Sequence, residues 1–295
     1  MIQIINTAKM KKALLFLFLI TLQLPCYSQI KPNNVSYQKR DSIDVINIIN
    51  EAKKLPLSTN RFLFIARKFI GRPYVAHTLE INNEEKLVVN VREVDCTTFV
   101  EYVLAIEQCL KNKKYSFADF CNYLAQVRYI KDKVDYTYRQ HYFTLWIKDN
   151  TEDGFVKEIN TPNPPFTNVQ TVNVNYMTTH VSSYRMLNLH KEWVKQIRAL
   201  EQSINGKRYR YIPKSRISNT QLLRKTIKTG DILAIVCNKK GLDIAHLGIA
   251  VWKKDGLHLL NASSIHKKVV EEPMTLRQYL YKHPSHLGIR VIKVK

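Results

Sequence analysis

Glu93-Val94-Asp95-Cys96-Thr97-Thr98-Phe99-Val100-Glu101 is the point where an apolar strand pattern gives way to a helical one. The strand pattern spans Leu87 to Val94. The spacing of Phe99, Val100, Val103 and Leu104 predicts a helix from Cys96 to Leu110. A cysteine in the first turn of a helix faces unpaired backbone N–H groups and the positive end of the helix dipole. Both lower a thiol's pKa, and the same N–H groups can hold a developing oxyanion. A lone cysteine is more often a small buried hydrophobe. Here its neighbours Asp95, Thr97 and Thr98 are polar, which suits a reactive thiol better than a core position.

The chain later supplies partners for such a thiol. His246 opens the strand pattern Ala245-His246-Leu247-Gly248-Ile249-Ala250-Val251. Lys253-Lys254-Asp255-Gly256 is an Asp-Gly hairpin signal, and the returning strand ends in Leu259-Leu260-Asn261-Ala262-Ser263. Antiparallel pairing brings Asn261 near the level of His246, where an amide can accept the imidazole N–H and set its tautomer. His258 competes for that role. It lies an odd number of residues from Asn261 and so points to the other face, which favours Asn261. Gly248 shares the face of His246; it marks either a bulge or close approach of a backbone or ligand, and clearing space beside the imidazole fits a catalytic histidine. Nucleophile, base and orienter then read Cys96, His246, Asn261.

Three segments together, Asp95-Cys96-Thr97-Thr98-Phe99-Val100-Glu101, His246-Leu247-Gly248-Ile249-Ala250 and Asn261-Ala262-Ser263, resemble the signatures of NlpC/P60-type cysteine peptidases. Thr97-Thr98-Phe99-Val100-Glu101, with Gly71-Arg72-Pro73-Tyr74-Val75-Ala76 upstream, is similar more narrowly to the N-acetylmuramoyl-L-alanine amidase-like branch. The resemblance runs from about Phe62 to the C-terminus and includes Tyr176-Met177-Thr178-Thr179-His180 and Tyr211-Ile212-Pro213-Lys214-Ser215. It implies a papain-like core, a nucleophile helix on an antiparallel sheet, and a thioester mechanism without a cofactor. It implies peptidoglycan or muropeptides as partners, cut at the amide joining MurNAc to L-alanine. The wider superfamily equally supports the bond between γ-D-glutamate and a diamino acid. A cell-wall-binding protein without turnover, and transfer rather than hydrolysis, stay open.

Through the resemblance Tyr74 joins the catalytic set, its hydroxyl lining the oxyanion site, against the alternative of packing on the helix end. Asp95, Thr97, His180, Tyr211 and Lys214 are read as substrate-facing, with Gly248 beside them; Asp95 either orients a substrate amine or caps the helix. Leu145 stands where relatives are expected to carry Asp before Trp-Ile, which puts a carboxylate from that loop in doubt. Tyr142, Trp146, Tyr176 and Tyr211 are expected to supply aromatic surface for a sugar face.

The N-terminus reads as a secretory signal: Lys9, Lys11 and Lys12 precede an apolar run from Ala13 to Pro25, and cleavage is expected after Ser28. Lipidation at Cys26 is disfavoured because no small residue stands directly ahead of it. A periplasmic or secreted monomer without stable membrane insertion is expected. The formal charge is +22, and loss of the three lysines takes it to +19, which favours polyanions such as wall polymers. The basic residues are scattered and no nucleic-acid motif is present. Four cysteines remain, too few for a disulfide scaffold and without metal-site spacing; a Cys109–Cys121 bridge stays open.

Helices first and strands last predict an α+β fold. Residues 29–41 read as a loose lead-in, and 42–295 as a single catalytic domain with an elaboration at about 131–225. Within it, Tyr142 to Ile147 reads as β, Ser182 to Asn205 as one helix, and the strands near 232–236, 247–252, 257–261 and 289–294 as an antiparallel meander.

Overall fold

The computed structural model describes residues 34–295; the signal segment, Cys26, the cleavage after Ser28 and the first part of the lead-in lie outside the described residues. The fold is α+β. In chain order come β1 (Val35–Tyr37), α1 (Lys39–Ala52), α2 (Arg61–Arg67), β2 (Leu87–Val89), α3 (Cys96–Lys111) and α4 (Phe117–Arg128). Next are α5 (Phe143–Glu152), β3 (Val156–Glu158), β4 (Asn168–Thr171), α6 (Tyr176–Thr179), α7 (Arg185–Leu189), α8 (Val194–Ile204), β5 (Arg208–Pro213) and α9 (Gln221–Thr226). The chain closes with β6 (Ile232–Cys237), β7 (Ile244–Trp252), β8 (Leu257–Ser263), β9 (Lys268–Glu271), α10 (Leu276–Lys282) and β10 (His286–Val294).

The main sheet runs β4-β5-β10-β6-β7-β8-β9, antiparallel throughout, with β3 also on β10. Both its faces are covered, so its central strands are apolar on both sides. Leu247, Ile249, Val251, Leu260 and Ala262 face α3 and its neighbours; Leu233, Ile235, Ala250 and Leu259 face α10 and the segment before β6. That alternation is the period of two a pleated strand imposes. Helix α3 is buried on nearly every side from Thr98 to Leu110, wedged between α1, α2, α4 and the sheet. At roughly 1.5–3 kcal/mol per buried aliphatic or aromatic side chain, this central packing fixes where its first residue sits.

Burying α3 all round also buries charge. Glu101 is met by Arg128 of α4, Nε to Oε2 2.7 Å, and Arg128 donates from Nη1 to the Val88 carbonyl at 2.7 Å. The two charges stay inside because each is the other's partner.

Several expectations need correction. The lead-in is ordered before residue 41: β1 pairs in parallel with β2, and Asp41 is fully buried, accepting from the Val91 N–H at 3.1 Å. The strand expected over Leu87–Val94 stops at Val89. Beyond it the backbone bonds to side chains instead of a ladder, Asn90 N–H to the Tyr102 hydroxyl and Val91 N–H to Asp41. Tyr142–Ile147 is not β; it opens helix α5, and the run is apolar on every side because the helix is buried, which hides its period. The helix expected over Ser182–Asn205 is broken. Backbone φ/ψ leaves the helical region at His190, whose ring stacks on Trp193 at 4.0 Å, and only α8 continues. Strands β5 and β9 and helix α10 were not anticipated, and β10 joins β6 on the side away from β7. Cys109 and Cys121 are both free thiols.

Candidate active site

Asp95 is the N-cap of α3, and it explains why the helix begins at Cys96. Its Oδ1 accepts from the Thr97 and Thr98 N–H groups at 3.0 and 2.8 Å, while Thr98 Oγ1 accepts from the Asp95 N–H at 2.9 Å. Of the two readings of Asp95, helix capping is the one its hydrogen bonds describe. Cys96 is thereby fixed in the first turn, half-buried, with Thr97 Oγ1 4.0 Å from its sulfur.

The thiol departs from expectation. Burial, with the Asp95 charge second, pushes its pKa up to about 12, against the lowering by backbone N–H groups and Thr97. Desolvation outweighs the helix end here, so the resting cysteine is a neutral thiol. The imidazole matches it: burial lowers the His246 pKa below its ordinary value, although the Asn261 bond and the Glu272 charge act upward. The pair rests as neutral thiol and neutral imidazole.

His246 and Asn261 meet as the hairpin arithmetic required. Lys253 N–H donates to the Gly256 carbonyl at 2.8 Å, closing the turn, and the register Ile249↔Leu260 follows. Across it His246 Nε2 lies 2.8 Å from Asn261 Oδ1, and Asn261 is fully buried. His258 points elsewhere, its Nε2 3.0 Å from Asp255 and its Nδ1 2.9 Å from the Glu272 carbonyl.

Tyr74 arrives by a separate route. The stretch Gly71–Tyr74 runs along β9, Gly71 N–H to the Val269 carbonyl and Tyr74 N–H to the Lys267 carbonyl, both 2.9 Å. Its other edge bonds Val94, two residues before Cys96. This lays the Tyr74 ring against the start of α3; burial and the Cys96 and Asp95 charges push its hydroxyl up to about 12, so it remains a hydrogen-bond donor at neutral pH.

The remaining residues expected at the site do not serve it as expected. Gly248 does not clear space for the imidazole: a Cβ there would meet Leu259 Cγ at 2.6 Å and the Leu260 carbonyl at 2.9 Å, so the glycine admits β8. His180 is exposed and stacked on Tyr176, ring centroids 4.1 Å apart. Tyr211 is buried, its hydroxyl 3.4 Å from Asn168 Nδ2. Lys214 lies with its Nζ 5.4 Å from the Tyr281 ring centre. Among the described residues none of these three hydrogen-bonds or stacks with Cys96, His246 or Asn261. The aromatic sugar wall also fails in its stated form: Tyr142 and Trp146 are core residues, the Tyr142 hydroxyl donating to Glu201 at 2.7 Å.

Two residues that sequence reasoning missed stand at the site. Tyr279 of α10 lies with its ring centre 6.3 Å from that of His246, and the Cys96 charge bears on its hydroxyl. Glu272, buried behind Asn261, takes the Asn261 Nδ2 at 3.0 Å. Nothing local marks either one; both depend on how β9 and α10 return to the sheet.

The family described as N-acetylmuramoyl-L-alanine amidase-like matches residues 64–289. A solved N-acetylmuramoyl-L-alanine amidase from Bacteroides uniformis ATCC 8492 is 38% identical, covers 78% of this chain and 97% of its own, and superposes with a TM-score of 0.71. A Bacteroides fragilis protein solved under a provisional xylanase label is also 38% identical, covering 78% and 98%, with a TM-score of 0.72. A Legionella pneumophila protein at 22% identity, covering 86% and 94% with a TM-score of 0.68, shares the fold. No curated protein sequence matches the chain. The family match takes in Tyr74, Cys96, His246 and Asn261 alike, and the chain belongs to the N-acetylmuramoyl-L-alanine amidase-like family.

Proposed function

We propose that the protein is a secreted or periplasmic peptidoglycan hydrolase with a papain-like NlpC/P60 core, cleaving the amide between the lactyl group of MurNAc and L-alanine through a Cys96 thioester. The observation that carries this is the His246–Asn261 contact of 2.8 Å on strands packed against α3, whose first residue is Cys96. Membership of the amidase-like family supports the substrate class. In the reaction His246 takes the Cys96 proton as the sulfur attacks the carbonyl carbon. The oxyanion rests against the Cys96 N–H and the Tyr74 hydroxyl. Collapse breaks the C–N bond, and His246 returns the proton to the departing amine. Water, deprotonated by His246, then attacks the thioester, releasing the lactyl carboxylate and restoring the thiol.

The xylanase label of the Bacteroides fragilis relative would call for two carboxylates flanking a glycosidic oxygen. Here Asp95 caps α3 and Glu272 is buried behind Asn261, so both of these carboxylates are engaged in structure. That favours an amide as the scissile bond.

Mass spectrometry of purified muropeptides after incubation tests the proposal. Free sugar plus intact peptide beginning with L-alanine is the expected result, with sugar-free tripeptides left uncut. Cleavage of L-Ala-γ-D-Glu-diaminopimelate lacking the sugar would move the scissile bond to the γ-D-glutamyl position. No cleavage of either would leave a wall-binding protein.

A further inference from the structure

Glu272 is 1% exposed, and each part of it is engaged. Its N–H donates to the Leu259 carbonyl at 2.8 Å, and its own carbonyl lies 2.9 Å from His258 Nδ1. Those bonds pin the backbone where β9 ends. The side chain points back under Asn261: Oε1 lies 3.0 Å from Asn261 Nδ2, and Oε2 lies 3.1 Å from Nε2 of His266, which sits in the exposed turn between β8 and β9.

An asparagine amide can face either way, and a histidine can carry its proton on either nitrogen; neighbours decide both. Around Asn261 Nδ2 the neighbours are all acceptors: Glu272 Oε1, with the carbonyls of Leu259 and Val270 more distant at 3.5 Å. A reversed amide would press Oδ1 against three oxygens. Oδ1 must therefore face His246, and an oxygen that only accepts requires a proton on His246 Nε2. The other nitrogen, Nδ1, is then left bare as the base.

We propose that Glu272 is a positioning residue for the reaction: by holding the Asn261 amide in one orientation it fixes His246 as the Nε2–H tautomer and leaves Nδ1 free to take the Cys96 proton. This rests on the reading of His246 as the base. It adds a fourth member behind the Cys-His-Asn set, reached only through the β8–β9 pairing. The wrong tautomer can cost a triad enzyme up to roughly 10⁴-fold in turnover, so the arrangement matters even though Glu272 touches no substrate.

The test begins with the unaltered protein. Its ¹⁵N imidazole spectrum should show His246 protonated at Nε2 and bare at Nδ1; the reverse pattern overturns the proposal whatever the activity. In folded Glu272→Met, which lacks an acceptor, both tautomers should appear, and kcat should fall roughly tenfold or more with KM nearly unchanged. Glu272→Gln keeps an oxygen for Asn261 and should recover most of that loss. A folded Glu272→Met with unaltered kcat and a pure Nε2–H spectrum overturns the proposal. If that variant does not fold, the wild-type spectrum and Glu272→Gln decide. An unaltered protein that cuts no muropeptide, yet shows the expected spectrum, would sink the functional reading and not this one.

Discussion

Cys96 carries two opposing influences, and the structure shows which is larger. The helix start, Thr97 and the Leu247 backbone all favour the thiolate, but burial and Asp95 push the pKa to about 12. With His246 lowered by burial, the proposed mechanism transfers the proton within the pair during attack. The sign of the pH dependence follows. A neutral imidazole is the active form, so kcat/KM should rise with pH through a midpoint below 6.5, the ordinary histidine value. It should then stay level to about pH 9, because no imidazolium needs to be kept. A bell with an alkaline fall near pH 8 would indicate a preformed thiolate–imidazolium pair instead. Cys96→Ala should abolish turnover with the fold intact, and Cys96→Ser should do the same. Iodoacetamide should label Cys96 before the buried Cys109, Cys121 and Cys237. Turnover surviving in Cys96→Ala would end the covalent mechanism.

At the scale of single elements, α3 and the β7–β8 hairpin hold the site. Asp95→Ala removes a cap and should cost about 1–2 kcal/mol, read from chemical denaturation. Asp95→Asn keeps an oxygen acceptor but drops the charge that raises the Cys96 pKa, so Cys96 alkylation should quicken while stability holds. Slower alkylation would mean that the Asp95 charge does not act on the thiol. Gly248→Ala should drive β8 away, lowering both stability and turnover; an indifferent variant would show that β8 can yield. These elements were legible because their signals are local. Polar residues around Cys96 announce a helix start, and Asp-Gly between two apolar runs announces a hairpin whose register places Asn261 by counting. Glu272 was not legible, since its partner is set by β9 pairing to β8, and Lys268–Glu271 shows no strong strand pattern of its own. Helix α5 was misread for a related reason: an apolar run buried on every side has no period to read.

On the scale of the whole molecule, the segment at about 131–225 is joined to the sheet through β10. Strands β3 and β5 both pair with β10, and Arg290 of that strand, fully buried, reaches across to Glu158 Oε2 at 2.9 Å and Thr144 Oγ1 at 2.7 Å. The loop after Tyr74 is tied to the same segment: Arg139 Nη2 donates to Glu80 at 2.9 Å and Nη1 to Glu85 at 3.1 Å, while Arg185 donates to the Asn82 carbonyl at 2.7 Å. The segment has its own small apolar cluster, including Tyr136, Val174, Met177 and Ile197, and β4 pairs with β5 inside it, but β3 and β5 are both paired to β10. We therefore expect one cooperative unfolding transition, coincident by near-ultraviolet dichroism and by loss of turnover. Two separated transitions would make the segment an independent domain. Glu158→Ala is the sharper probe, because it leaves the Arg290 guanidinium buried without its carboxylate. Breaking such a pair costs about 3–5 kcal/mol. The loss should appear as a lower midpoint of that single transition, with Cys96 losing its protection from alkylation at the same denaturant concentration. If Glu158→Ala melts the segment while Cys96 stays protected, the coupling through β10 does not hold.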